Sequence, residues 1–318
     1  MRLRSLFLFV LSAGIAGHPT VSEASCGAES CPLDHASRWS EEPFTFELSY
    51  QYLDQDQART GTEDTEVGAI PRHHDEVRTL NRITTARAGY RTGAWSLGAS
   101  LPFVDRDHAH IHHHAGEEIL EQWSYSGLGD LEVVGFRSFD SETRRFFASA
   151  GLKMPTGDTS VPNEEGDQPE PAARPGTGSW DVLAGMGVEW LVSGAGEYEQ
   201  PIPLRLSVTG RWNGYGVEDY RVGPEAQVHL ASEYPVSERF ALLGQANFRV
   251  KGKDDVAESG VEEEDTGGSV LYLSPGVRVA VSPGASLYGL VQIPAYQRVN
   301  GIQVVSEANL YVGVAGGL

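Results

Sequence analysis

What this chain of 318 residues lacks narrows it quickly. Its only two cysteines, Cys26 and Cys31, lie near the N-terminus, so no disulfide framework holds the body of the chain. Beyond the first residues, no run approaches the roughly 18 apolar residues that a membrane-crossing helix needs, which excludes a helical membrane protein. Positive charge is scarce. Against 44 Asp+Glu stand 24 Lys+Arg, a formal charge of -20 that argues against any nucleic-acid partner. The phosphate-binding loop, the zinc-protease H-E-x-x-H and the nucleophile elbow G-x-S-x-G are all missing, so no catalytic residue is expected. What the chain has is 37 glycines and recurring Val, Leu, Phe, Tyr and Trp in ordered patterns, which exclude global disorder and point to an all-β protein.

The N-terminus reads as an address. Residues 1–24 form a signal peptide, with Arg2 and Arg4 as the basic start, an apolar core over 6–15 and Ser22-Glu23-Ala24 as the cleavage site. Cleavage removes a net +1 and leaves the mature chain at -21. Glu23 stands three residues before Cys26, where a lipoprotein signal wants an aliphatic residue, so lipidation is the weaker reading. Residues 25–42 read as a periplasmic tail or short plug. In an oxidising compartment its Cys26 and Cys31 are expected to form a local disulfide.

From about residue 43 onward, period-2 alternation recurs. Phe44, Phe46, Leu48, Tyr50 and Tyr52 alternate with Thr45, Glu47, Ser49 and Gln51. Leu204, Leu206 and Val208 alternate with Arg205, Ser207 and Thr209, and Val228 and Leu230 with Gln227 and His229. The pattern predicts twelve strands, at about 43–54, 76–91, 94–105, 128–139, 143–155, 178–192, 201–213, 218–233, 238–250, 268–281, 285–295 and 303–317. Those at 76–91 and 128–139 alternate poorly. Long polar connections at 55–75, 106–127, 156–177 and 251–267 exchange with compact turns, and shorter links fall near 214–217 and 296–302. A soluble sandwich also alternates, but its strands are usually about 5–6 residues long and it does not sort long loops to one end. The reading is therefore a closed antiparallel transmembrane β-barrel over 43–318, with long extracellular loops and short periplasmic turns, inserted in the outer membrane.

Three motifs carry a family resemblance. They are Ser126-Gly127-Leu128-Gly129-Asp130-Leu131, Gly151-Leu152-Lys153-Met154-Pro155-Thr156-Gly157-Asp158 and Pro175-Gly176-Thr177-Gly178-Ser179-Trp180-Asp181. Together they resemble the outer-membrane barrel family named for the meta-pathway of phenol degradation, over about residues 43–318. The resemblance implies a barrel and, more loosely, passage of small hydrophobic or aromatic compounds. Two features depart from it. The chain ends Gly316-Gly317-Leu318 without the terminal aromatic that helps the barrel-insertion machinery, and its His-rich segment has no counterpart in the pattern. Physically, the motif glycines suit tight bends at a rim, and the Asp residues suit turn acceptors.

If the aliphatic faces point to lipid, the opposite faces line the lumen. They carry Glu47, Lys153, Glu189, Arg205, Arg211, Arg221, Glu225, His229, Arg249, Arg278 and Glu307. Charges of both signs are costly in a dry interior and ordinary in a wet one. A restricted aqueous pore with passive diffusion of a small-molecule or ion solute is expected, and the excess of inward cations suggests a weak anion preference. The alternative is a structural or metal-binding barrel with a closed lumen.

Of 10 histidines, five crowd into His108, His110, His112, His113 and His114, beside Asp105, Asp107, Glu117 and Glu118. His73 and His74 stand at the end of the preceding long connection. Imidazoles with carboxylates suit Zn, Ni or Cu, so a divalent-metal site is expected here, against a solvated loop that binds metal only adventitiously.

Overall fold

A computed structural model of the chain describes residues 42–69, 76–114, 117–141, 143–192, 201–257 and 261–318. The predicted signal peptide, nearly all of the tail, Cys26, Cys31, His73 and His74 lie outside the described residues, as do the side chains of His112, His113 and His114.

Twelve long strands make one wall. They are β1 (Phe44–Gln55), β2 (Glu76–Thr92), β3 (Trp95–His114), β4 (Leu131–Asp140), β5 (Arg144–Met154) and β6 (Asp181–Val192). The second half is β7 (Ile202–Asn213), β8 (Glu225–Pro235), β9 (Phe240–Lys251), β10 (Gly268–Ser282), β11 (Ala285–Val305) and β12 (Asn309–Gly317). Each pairs antiparallel with its neighbour in the chain, and β12 closes on β1 from Thr45↔Gly317 to Leu53↔Asn309. The sheet has no edge in its wall. The predicted barrel of twelve strands is the fold.

The alternation in sequence becomes two faces. In β1, Phe46 and Leu48 are exposed while Glu47, Ser49 and Gln51 are buried, and the same exchange runs through β7, β8, β9 and β12. Phe44, Tyr90, Trp95, Phe139 and Phe146 ring the short-turn end of the outer face; Phe103, Trp180, Trp212 and Tyr296 ring the other. A continuous apolar exterior between two aromatic girdles is stable against hydrocarbon and not against water. Above Phe103 the outer face of β2 and β3 turns ionic. There Arg82 meets Asp105 and Asp107, each at 2.8 Å, and Arg78 meets Asp54 at 2.6 Å.

The long connections are more ordered than predicted. The segment 106–127 is not a loop: the upper part of β3 pairs with Glu117–Leu128, from Phe103↔Leu128 to His114↔Glu117. Polar side chains on both faces of this hairpin hid its period. Gln57–Gly61 likewise pairs with the end of β11. The link predicted at 296–302 narrows to a reversal at Asn300-Gly301, where Gly301 takes φ +53°. Residues 218–224, predicted as strand, form a short 3-10 turn and the two-residue strand Tyr220–Arg221, which pairs with Asp255–Val256.

A closed wall resists SDS until heated, because every wall backbone group is paired within the sheet. Unheated and boiled protein should therefore migrate differently on a gel. Val208→Arg, on the outward face midway along β7, is expected to lower stability by about 2–4 kcal/mol in urea unfolding from vesicles.

Candidate functional site

The lumen is built in layers. Toward the short-turn end, Glu47 pairs with Arg87 at 2.8 Å, Glu189 with Arg205 at 2.9 Å, and Glu233 with Arg278. Tyr288 donates to Glu47 at 2.8 Å, and Leu243, Leu290, Tyr311 and Ala315 pack beside it. Val134, Phe136 and Phe147 form a second apolar cluster on β4 and β5. Glu189 is fully buried, so this part of the lumen is tightly filled. Midway up, the buried inward groups are mainly neutral amides and hydroxyls. Gln51, Gln245, Gln292 and Asn309 are among them, and His229 Nδ1 lies 2.8 Å from Asn247 Oδ1.

Above this band the lumen opens into a cavity of about 300 Å³. Its lining comes from β1–β3 on one side and β9–β11 on the other, with Glu170, Ala172 and Ala173 projecting from the connection between β5 and β6. That connection is held over the mouth. Arg106 and Tyr125 both donate to the carbonyl of Ala173, and Trp123 Nε1 donates to the carbonyl of Asp167 at 2.9 Å. On the far side, buried Tyr220 donates to Asp254 at 2.7 Å. Burial and the adjacent Asp254 carboxylate push its phenol well above the ordinary range, so Tyr220 remains a donor at any physiological pH.

The base of the connection is pinned by one carboxylate. Asp130 accepts from Lys153 Nζ at 2.7 Å, from the Gly157 N–H at 2.9 Å and from the Thr177 N–H at 3.0 Å. Lys153 also reaches Asp181 at 3.1 Å. Asp158 accepts from the Leu128 N–H at 2.8 Å. The backbones cross so closely that a Cβ on Gly157 would stand 2.6 Å from Gly129 C and 2.8 Å from Gly176 Cα.

A family model described as "Putative MetA-pathway of phenol degradation" matches residues 76–300. The chain belongs to this family. Among solved structures it is similar to an outer membrane channel from Pseudomonas putida F1, with 14% identity, coverage of 91% of this chain and 99% of that one, and a TM-score of 0.65. It is also similar to the transport unit of the autotransporter AIDA-I from Escherichia coli, with 10% identity, coverage of 89% and 92%, and a TM-score of 0.50. At such identities the likeness concerns the barrel alone. No curated protein matches the chain. The family motifs in the matched region are the ones that converge on Asp130, so in this chain they fasten a loop to the rim.

Most predicted lumen residues face inward. Glu47, Lys153, Glu189, His229 and Arg278 are buried, and Arg205, Arg211, Glu225 and Arg249 are partly so. Two do not belong. Arg221 sits on the short loop strand with Asp255, and Glu307 is exposed in the break between β11 and β12, where the two-residue period is interrupted. Sequence reasoning also missed inward Arg87, Asp130, Glu132, Asp181 and Glu233. Arg87 and Glu132 lie on the two poorly alternating strands, which concealed their faces. With these acids present the cationic excess disappears: Arg211 pairs with Glu132, and Arg249 with Glu225 at 3.1 Å. The basis for an anion preference is gone.

The described histidines of the hairpin lie on strand β3. His108 is buried, with Nδ1 2.8 Å from Thr79 Oγ1 and its ring 5.5 Å from that of Trp123. The His110 ring is 6.4 Å from it. Among the described residues no three His, Cys, Asp or Glu side chains converge as a metal site would require.

Lys153→Met leaves buried Asp130 without its cation and Asp181 with only Arg211 at 3.9 Å, and is expected to cost about 3–5 kcal/mol, with the 155–180 connection becoming protease-sensitive. Burial alone would raise the Asp130 carboxyl, but Lys153 and the Thr177 and Gly157 N–H groups hold it below its ordinary value. Its contribution is thus complete above its unfolded value of about 3.9 and lost as pH falls through the lower folded value. Protease resistance should be constant from about pH 5 to 8 and fail only in stronger acid.

Proposed function

We propose that this chain is an outer-membrane channel, without catalytic activity, that passes small solutes by diffusion through a restricted lumen. The observation that carries this reading is a closed wall, apolar outside and polar along its interior, that opens at one end into the 300 Å³ mouth cavity. A structural barrel has no need of a polar chamber fenced by a pinned loop. The short-turn half is the resistive part, because its three ion pairs and packed rings must shift for anything to pass.

The solute class follows from the lining. The cavity mixes Val270, Val304 and Tyr272 with Gln55 and Asn81 and with charged groups, of which Arg249, Lys251 and Asp254 are held in ion pairs, and the neutral amides of the band beneath can donate to or accept from a hydroxyl. A small uncharged solute with one polar group, about the size of a single aromatic ring, suits both. The family's description, which names phenol degradation, agrees with that class.

The experiment is single-channel recording in planar bilayers. The native protein should give small discrete openings with nearly equal passage of potassium and chloride, because its lumen charges are paired. Glu233→Gln leaves the Arg278 guanidinium without its carboxylate and should shift the reversal potential toward anions. An absence of discrete openings in both proteins would refute the channel.

A further inference from the structure

The outward face of the wall is apolar with two exceptions. Below the outer girdle, among the described residues, the only charged side chains on that face are Arg137 on β4 and Arg144 at the start of β5. Arg137 stands opposite Trp95, the first residue of β3, and is exposed. Its guanidinium lies 5.0 Å from the Trp95 ring centre and 5.1 Å from that of Phe139. Those rings are themselves 55% and 49% exposed, so neither covers it. Another cation over a ring, Arg221 against Tyr215, is also ion-paired with Asp255. No carboxylate answers Arg137 among the described residues.

A guanidinium on a lipid-facing wall is costly at mid-bilayer and tolerable only where it meets the headgroups. The place of Arg137, three residues from the end of β4 and within the short-turn girdle, puts it at that level. Two rings hold the fork in the plane of the interface, and its donors match phosphate oxygens in pairs. Arg144 lies one strand over and nearer the turn, on the headgroup side. Leu97, Val133 and Leu152 continue the face above as an apolar track for acyl chains.

We propose that Arg137, framed by Trp95 and Phe139 and backed by Arg144, binds the phosphate of a glycerophospholipid in the periplasmic leaflet. This rests on the reading of the wall as membrane-spanning with its short turns in the periplasm. The test is native mass spectrometry of the purified, delipidated barrel with phosphatidylglycerol, with diacylglycerol, and with phosphatidylglycerol plus excess inorganic phosphate. The native protein should retain phosphatidylglycerol and not diacylglycerol. Arg137→Gln should reduce occupancy about ten-fold, Arg137→Lys should restore part of it, and inorganic phosphate should leave the lipid in place. Equal occupancy in the native protein and Arg137→Gln would overturn the site, as would complete displacement by inorganic phosphate. Heat-modifiable migration, measured on the same samples, separates this failure from a failure of the barrel reading, since only the latter abolishes it in the native protein.

Discussion

The rest of the structure depends on closure, the pairing of β12 with β1. In hydrocarbon no water can satisfy a loose N–H or C=O, so a sheet survives there only when it has no edge. Closure then sorts every wall residue to lipid or to lumen, and a shift of one residue would exchange the two faces. The apolar exterior and the polar interior are consequences of that single constraint.

A closed barrel of twelve strands is narrow, and its interior shows what narrowness imposes. Charges that project inward cannot stay hydrated separately, so they meet partners on the next strand, as Glu189 does Arg205, or further across the lumen, as Glu233 does Arg278 and Glu132 does Arg211. Such pairs cost desolvation and return it only when the geometry is good. They make the lumen specific in shape and poor in net field, so size and hydrogen-bonding capacity sort solutes better than charge does.

The mouth depends on a different device. The connection between β5 and β6 is long enough to fall anywhere on the rim, yet Asp130 takes three donors from the segments at its two ends and fixes its base. The glycines there are required by contact, since the backbones at Gly129, Gly157 and Gly176 touch where any side chain would stand. The apolar cost of a rim cation is handled in another way at Arg137, by placing it among aromatic rings at the level of the headgroups.

The sequence by itself determined the barrel, the number of strands and the short turns. Alternation on strands such as β1, β7 and β12 reports burial directly, because each face has one solvent. It also placed Glu47, Lys153, Glu189 and Arg278 inside. It could not place Arg87 or Glu132, whose strands alternate weakly, nor find the hairpin after Phe103, where polar side chains stand on both faces and no period remains. It put Glu307 inside because a break of three residues between β11 and β12 resets the period. Which acid answers which base, and that three distant motifs converge on Asp130, was decided only by the tertiary structure. Pairing across a barrel depends on register and tilt, and those are set by closure of the whole ring rather than by any local run of residues.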